Sequence, residues 1–196
     1  MTKKTSGFQR GLRVLMGAAM LVSINALAED TAALEDARQV AGAVPPKLLQ
    51  VLSDEIASHG PAAAMSVCKE KAPQMAKAAS EKTGWAIRRV SLRNRNPKAQ
   101  TDAWERSVLE EFDRRAAAGE APATLEKYAM VEEAGHKEFR YMKALPVQPI
   151  CLACHGASDS LAPEVSERLH TLYPDDKATG YALGQIRGAM TIRKAQ

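Results

Sequence analysis

Gln185-Ile186-Arg187-Gly188-Ala189-Met190-Thr191-Ile192-Arg193, close to the C-terminus, is the stretch on which the fold turns. Ile186, Gly188, Met190 and Ile192 alternate with Gln185, Arg187, Ala189, Thr191 and Arg193. A period of two marks a half-buried strand. Residues 127–133 and 137–145 read as two more strands, joined through Ala134-Gly135-His136 as a hairpin. Residues 85–92, rich in β-formers, read as another strand.

Ahead of these strands the period is helical. Ala33, Leu34, Ala37 and Val40 place a short helix over 30–43. Pro45-Pro46 restart the chain, and Leu48, Leu49, Leu52 and Ile56 form the stripe of a second helix to about Ser58. Gly60-Pro61 stops it and opens a third over 61–82, with Met65, Cys68, Ala72, Met75 and Ala79 on one face. Asp102 and Glu105 have capping-box spacing, so a helix runs from there to Ala118, with Trp104, Val108, Phe112 and Ala116 facing inward. Pro163 opens a short helix to Tyr173. Helices followed by antiparallel strands give an α+β domain with the N-terminal helices packed on one face of the sheet.

Composition excludes several classes. The chain has 196 residues, 45% hydrophobic and 26% charged, which suits one globular domain. There are 27 Lys+Arg against 23 Asp+Glu, and the excess of four is Lys3, Lys4, Arg10 and Arg13. The body is neutral, so nothing points to nucleic acid. Those four cations precede an apolar run from Val14 to about Leu27 and a small-x-small site, Ala26-Leu27-Ala28. That order describes a secretory signal peptide over 1–28, cleaved after Ala28. The run is short for a span of ~20 residues. The expectation is a Sec-exported, soluble periplasmic domain over 29–196, with no stable membrane insertion.

The chemistry is concentrated in Cys151-Leu152-Ala153-Cys154-His155. This is C-x-x-C-H, the attachment signature of haem c. Two thiols three residues apart on a helical turn can add to two vinyl groups of one haem, and the adjacent histidine is carried under the iron. Zinc needs four ligands, and no second pair has matching spacing. A thioredoxin-like pair needs a βαβ setting that is lacking here. A structural disulfide is the plainest rival. The reading is one covalent haem c on Cys151 and Cys154, with His155 as proximal iron ligand.

Cys68 is then left over. It is either a small apolar core residue or the distal ligand. Met65, Met75, Met130, Met142, Met190, His59, His136 and His170 compete for that role, and the residues alone leave the choice open. Arg93, Arg95, Arg187 and Arg193 are candidates to neutralise haem propionates. The motif lies far from the mature N-terminus expected of small electron carriers, and 41 residues follow His155, too many for a four-helix cytochrome.

Four stretches carry a resemblance: Val67-Cys68-Lys69; Ser91-Leu92-Arg93-Asn94-Arg95-Asn96-Pro97 with Trp104-Glu105; Cys151 to Gly156; and Tyr173-Pro174-Asp175-Asp176-Lys177-Ala178-Thr179-Gly180 leading to Arg187-Gly188-Ala189. In order and spacing they resemble the periplasmic c-type haem domains with a PAS-like fold, which occur alone or fused to histidine kinases and chemoreceptors. Gln185 stands where an acidic residue is more usual. The resemblance implies a PAS-like antiparallel sheet, His155 and Cys68 as the two axial ligands, and a role in redox or small-gas sensing, with CO, NO, O2 or a redox partner protein as the counterpart. No acid pair or Ser-His arrangement suggests an enzyme. The alternatives are a c-type electron carrier, and a weak peroxidase, which would need an open distal face and a distal acid-base group.

Overall fold

The computed structural model describes residues 15–133 and 135–196, with side chains from residue 31 onward except at 133. The chain divides into two compact units, Met1–Asp36 and Ala37–Gln196. The basic part of the expected signal peptide lies outside the described residues. Among the described residues, no helix is long and apolar enough to cross a membrane.

Helix α1 (Leu15–Ser66) begins in the first unit and continues into the second. It passes through Pro45 and Pro46, so the expected restart there does not occur. The fixed φ of proline suits a helix; what it removes is an N–H and room for the preceding turn. The interruption comes at Gly60, with φ 81 and ψ 168. That conformation is open only to glycine, and it re-aims the segment from Pro61 onward. Beyond Ser66 the helix widens into a π-turn, Val67–Lys71, and then resumes as α2 (Ala72–Thr83). The helix expected over 61–82 is therefore two helical pieces with Cys68 in the wide turn between them.

Four strands follow: β1 (Ala86–Val90), β2 (Glu126–Glu133), β3 (His136–Pro146) and β4 (Ile186–Ala195). They form one antiparallel sheet in the order β1-β4-β3-β2. The fold class is α+β, as the sequence predicts. Glu133 pairs with His136, which closes the expected hairpin. Helix α3 (Ala103–Ala117) starts in a complete capping box: Asp102 accepts from the Glu105 N–H, and the Glu105 carboxylate accepts from the Asp102 N–H.

The register shows which helix covers which face. Lys127 pairs with Met142, and Met142 packs with Val108, Leu109 and Phe112 of α3. Glu126 pairs with Lys143 on the opposite face, where Arg38 of α1 bonds the Glu126 carboxylate. Helices thus cover both faces, not one. The reason lies in the polar groups. Glu126 accepts from both Arg38 and the Tyr141 hydroxyl, so that face carries a part-buried polar anchor of its own.

The same layering corrects the reading of β4. From Ile186 to Ile192 every residue is buried, so β4 is a central strand and not a half-buried one. Its polar alternates face protein. Thr191 pairs with Arg88, whose guanidinium bonds the fully buried Glu105 of α3. Arg187 points toward His155. Gly188 permits the end of β1 to approach: a Cβ there would lie 2.3 Å from the Val90 carbonyl oxygen.

Helix α4 (Leu152–His155) is a single turn, and α5 (Pro163–Leu172) follows it. The segments around these two helices build the site.

Candidate functional site

Pro149 opens a 3-10 turn that ends at Cys151 and runs directly into α4. Proline suits a first turn, where its missing N–H has no helical partner to lose. The turn sends the two thiols to different surroundings. Cys151 packs on Val147, Ala178 and Tyr181. Cys154 joins the cluster of Met65, Val165, Leu169 and Tyr173, with its Sγ 3.8 Å from the Pro61 carbonyl oxygen. All three cysteines are free thiols. Burial pushes the Cys154 thiol up to about 11. Burial also raises Cys68, against the opposing charges of Arg89, Arg95 and Arg187.

His155 is held by the loop that precedes β4. Tyr181 N–H donates to the His155 carbonyl at 2.9 Å and Gly180 N–H to the Gly156 carbonyl at 2.7 Å. The imidazole Nδ1 lies 2.6 Å from the Ala178 carbonyl oxygen. A carbonyl can only accept, so Nδ1 carries the proton. Burial pushes the imidazole down to about 2, with Arg187 and Arg95 adding to the effect. The ring is therefore neutral, and its Nε2 lone pair is the one available to a metal.

Three arginines, Arg89, Arg95 and Arg187, act on this ring and Cys68, and a fourth, Arg93, lies over Tyr181 at the edge of the imidazole. Arg95 is buried and bonds Asp176 through two contacts, Nε to Oδ1 at 3.0 Å and Nη2 to Oδ2 at 2.9 Å. Its Nη2 also reaches the Cys154 carbonyl at 2.6 Å. Arg93 lies over the Tyr181 ring, 4.2 Å from its centre, and donates to the Lys177 and Thr179 carbonyls. Arg187 donates from Nη1 to Ser91 Oγ at 2.9 Å and the Arg93 carbonyl at 3.2 Å. Its Nε lies 3.4 Å from His155 Nε2. Arg89 of β1 acts through its charge on Cys68, His155 and Arg187. Sequence reasoning passed over Arg89, although Arg88-Arg89 between the apolar Ile87 and Val90 is an unusual pair in a strand, where both are half-buried. Arg193 sits elsewhere, near Asp102 and Glu138.

The thiols of Cys68, Cys151 and Cys154 thus lie within one another's electrostatic reach, and Arg89, Arg95 and Arg187 act on both Cys68 and His155. Among the competing residues, His136 and His170 are exposed and His59 pairs with Glu55 at 3.1 Å on an exposed helix face. Met142 is in the core beneath α3, and Met130 is exposed on β2. Met65, one turn before Cys68, packs in the cluster that holds Cys154. The donor set fits the group that the C-x-x-C-H turn implies. Two thiols lie on one turn, and a neutral imidazole has its proton fixed on the far nitrogen. A third thiol sits on a helix that widens where it appears, as π-turns do at functional sites.

No curated protein matches the chain. A solved structure described as that of the cyanobacterial heme-protein Tll0287 superposes with a TM-score of 0.60 at 24% identity, covering 86% of this chain and 96% of that one. The likeness extends to the fold. The model of the Tll0287-like family matches residues 18–194, nearly the whole sequence. The chain belongs to the Tll0287-like family.

Proposed function

We propose that the protein is a periplasmic haem c protein in which Cys151 and Cys154 hold one haem covalently, His155 and Cys68 are its axial ligands, and the assembly senses redox state or a small gas. The observation that carries this reading is the 2.6 Å bond from His155 Nδ1 to the Ala178 carbonyl, on the residue directly after the two-thiol turn. A haem-binding histidine needs its other ring nitrogen fixed in this way, and a structural disulfide turn would not need it. The haem-protein description of the similar solved structure supports the same cofactor. A PAS-like domain is supported by a sheet whose first and last strands lie side by side, β1 against β4, with the hairpin outside them.

When bound, the haem supplies one-electron chemistry and a coordination site for small gases. The chain's residues supply the rest. His155 is oriented by Ala178. A thiolate at Cys68 donates charge to ferric iron and lowers the potential within the ~0.8 V that axial ligands span. The wide turn at Val67–Lys71 gives Cys68 a backbone able to shift when the thiol is released. That movable ligand favours a sensor over a plain electron carrier, and no catalytic function is assigned. Optical spectra of the exported protein, oxidised and reduced and with CO, test the reading. A six-coordinate low-spin ferric spectrum that becomes CO-reactive on reduction is expected. A spectrum unchanged by CO favours the carrier.

A further inference from the structure

Among the described residues three arginines are strongly buried: Arg95 at 8%, Arg140 at 6% and Arg187 at 6% exposure. Arg95 is paired with Asp176, and Arg140 with Asp102 and Glu138. Among the described residues, no carboxylate lies within ion-pair distance of Arg187; its contacts are a hydroxyl, a carbonyl and an imidazole nitrogen. The charge of Asp176 reaches it, but that carboxylate is already bonded to Arg95. Arg89 and Arg95 add positive charge to the same space. A buried cation among cations is costly unless an anion joins it.

The second observation is where Arg187 points. Its Nε sits 3.4 Å from His155 Nε2, the nitrogen whose lone pair a metal would take. The guanidinium and an iron cannot share that position. The Arg187 backbone is held in place, since its carbonyl accepts from Ser91 Oγ at 2.9 Å and Gly188 fits beneath the Val90 carbonyl. Any change must therefore come from side-chain rotation.

We propose that the Arg187 guanidinium turns aside from His155 Nε2 to pair with a haem propionate. The propionate supplies the anion that the buried guanidinium lacks. This assigns the propionate to one of the four arginines nominated from the sequence. Arg95 is committed to Asp176 and the Cys154 carbonyl, and Arg93 is spread over Tyr181 with its N–H groups on two carbonyls. The inference rests on the haem reading above.

The test titrates the full chain carrying Cys151→Ala and Cys154→Ala, purified without haem, with haemin and with haemin dimethyl ester. Haemin should bind about tenfold or more tightly than the ester, a difference of ~1.4 kcal/mol. Adding Arg187→Gln should abolish the preference, and Arg187→Lys should keep part of it. Equal binding of both probes to the parent overturns the assignment and leaves the haem reading standing. Binding of neither, with no haem on the exported wild type, overturns both. If the double variant does not fold, the exported holoprotein decides. Arg187→Gln should lower the midpoint potential, because a positive charge beside the iron is lost, while Arg187→Lys should stay near wild type. A potential that is the same in all three overturns the proposal.

Discussion

Arg95 and Asp176 meet through two nearly parallel N–H···O bonds of 3.0 and 2.9 Å, with side-chain exposures of 8% and 11%. Asp176 Oδ1 also accepts from the Ala178 N–H at 2.9 Å, and Ala178 is the residue whose carbonyl orients His155. The pair therefore ties the loop after Leu92 to the loop that aims the imidazole. Breaking a buried pair by removing one partner costs about 3–5 kcal/mol, because the other charge stays buried. Asp176→Asn should lose stability of that order in urea unfolding, and should release Nδ1 of His155 from a fixed partner. A loss below about 1 kcal/mol would show that the pair is dispensable.

Glu126 accepts from Arg38 at 2.6 and 2.9 Å and from the Tyr141 hydroxyl at 2.8 Å. Burial pushes its carboxyl up, but the bonds from Arg38 and Tyr141 and the charges of Arg38 and Lys143 outweigh it, and the net shift is downward from 4.5. A carboxyl lowered in the folded state contributes stability that is complete above its unfolded value. That stability is lost as pH falls through the folded one. Urea midpoints measured from pH 7 down to about pH 2.5 should therefore fall below pH 4.5 in the wild type, and Glu126→Gln should flatten part of that fall. Identical pH profiles would remove Glu126 from the account.

Thr191 offers a contrary case. Its hydroxyl is fully buried without a hydrogen-bond partner, as are Arg88 Nε and Glu105 Oε1 nearby. Leaving a buried polar group unmatched costs about 1–3 kcal/mol. Thr191→Val keeps the shape and removes the unmatched group, so thermal unfolding should show unchanged or raised stability. A clear drop would mean that the hydroxyl bonds a resident water shared with Arg88 and Glu105.

Cys68→Ala addresses the distal ligand. The holoprotein should show a raised midpoint potential and a ferric spectrum moved toward high spin or a substitute ligand. Met65, one turn earlier and packed in the cluster that holds Cys154, is the candidate substitute. If spectra and potential match wild type, Cys68 is packing only and the sensing mechanism loses its movable ligand.

Much of this was legible in the residues. The strand over Ile186–Ile192, the Asp102/Glu105 cap and the hairpin around Gly135 all depend on local patterns, and each appears in the structure. What failed depends on tertiary context. Pro45 and Pro46 read as a helix boundary because proline costs a backbone bond, yet a long helix runs through them. Arg187 and Thr191 read as solvent-facing because they are polar, yet cover on both faces buries them. The π-turn at Cys68 leaves no trace in residue type, since Val67-Cys68-Lys69-Glu70-Lys71 fits an ordinary helix equally well. The four nominated arginines look alike in sequence; only the position of Asp176 separates Arg95 from Arg187.

The central claim is covalent haem on Cys151 and Cys154, and intact mass spectrometry of the exported protein under denaturing conditions tests it most directly. The account predicts the mass of residues 29–196 plus one haem, retained through acid-acetone extraction and lost when Cys151 and Cys154 are both replaced by Ala. The mass of the bare chain, or of the chain less two hydrogens for a Cys151–Cys154 disulfide, would contradict it.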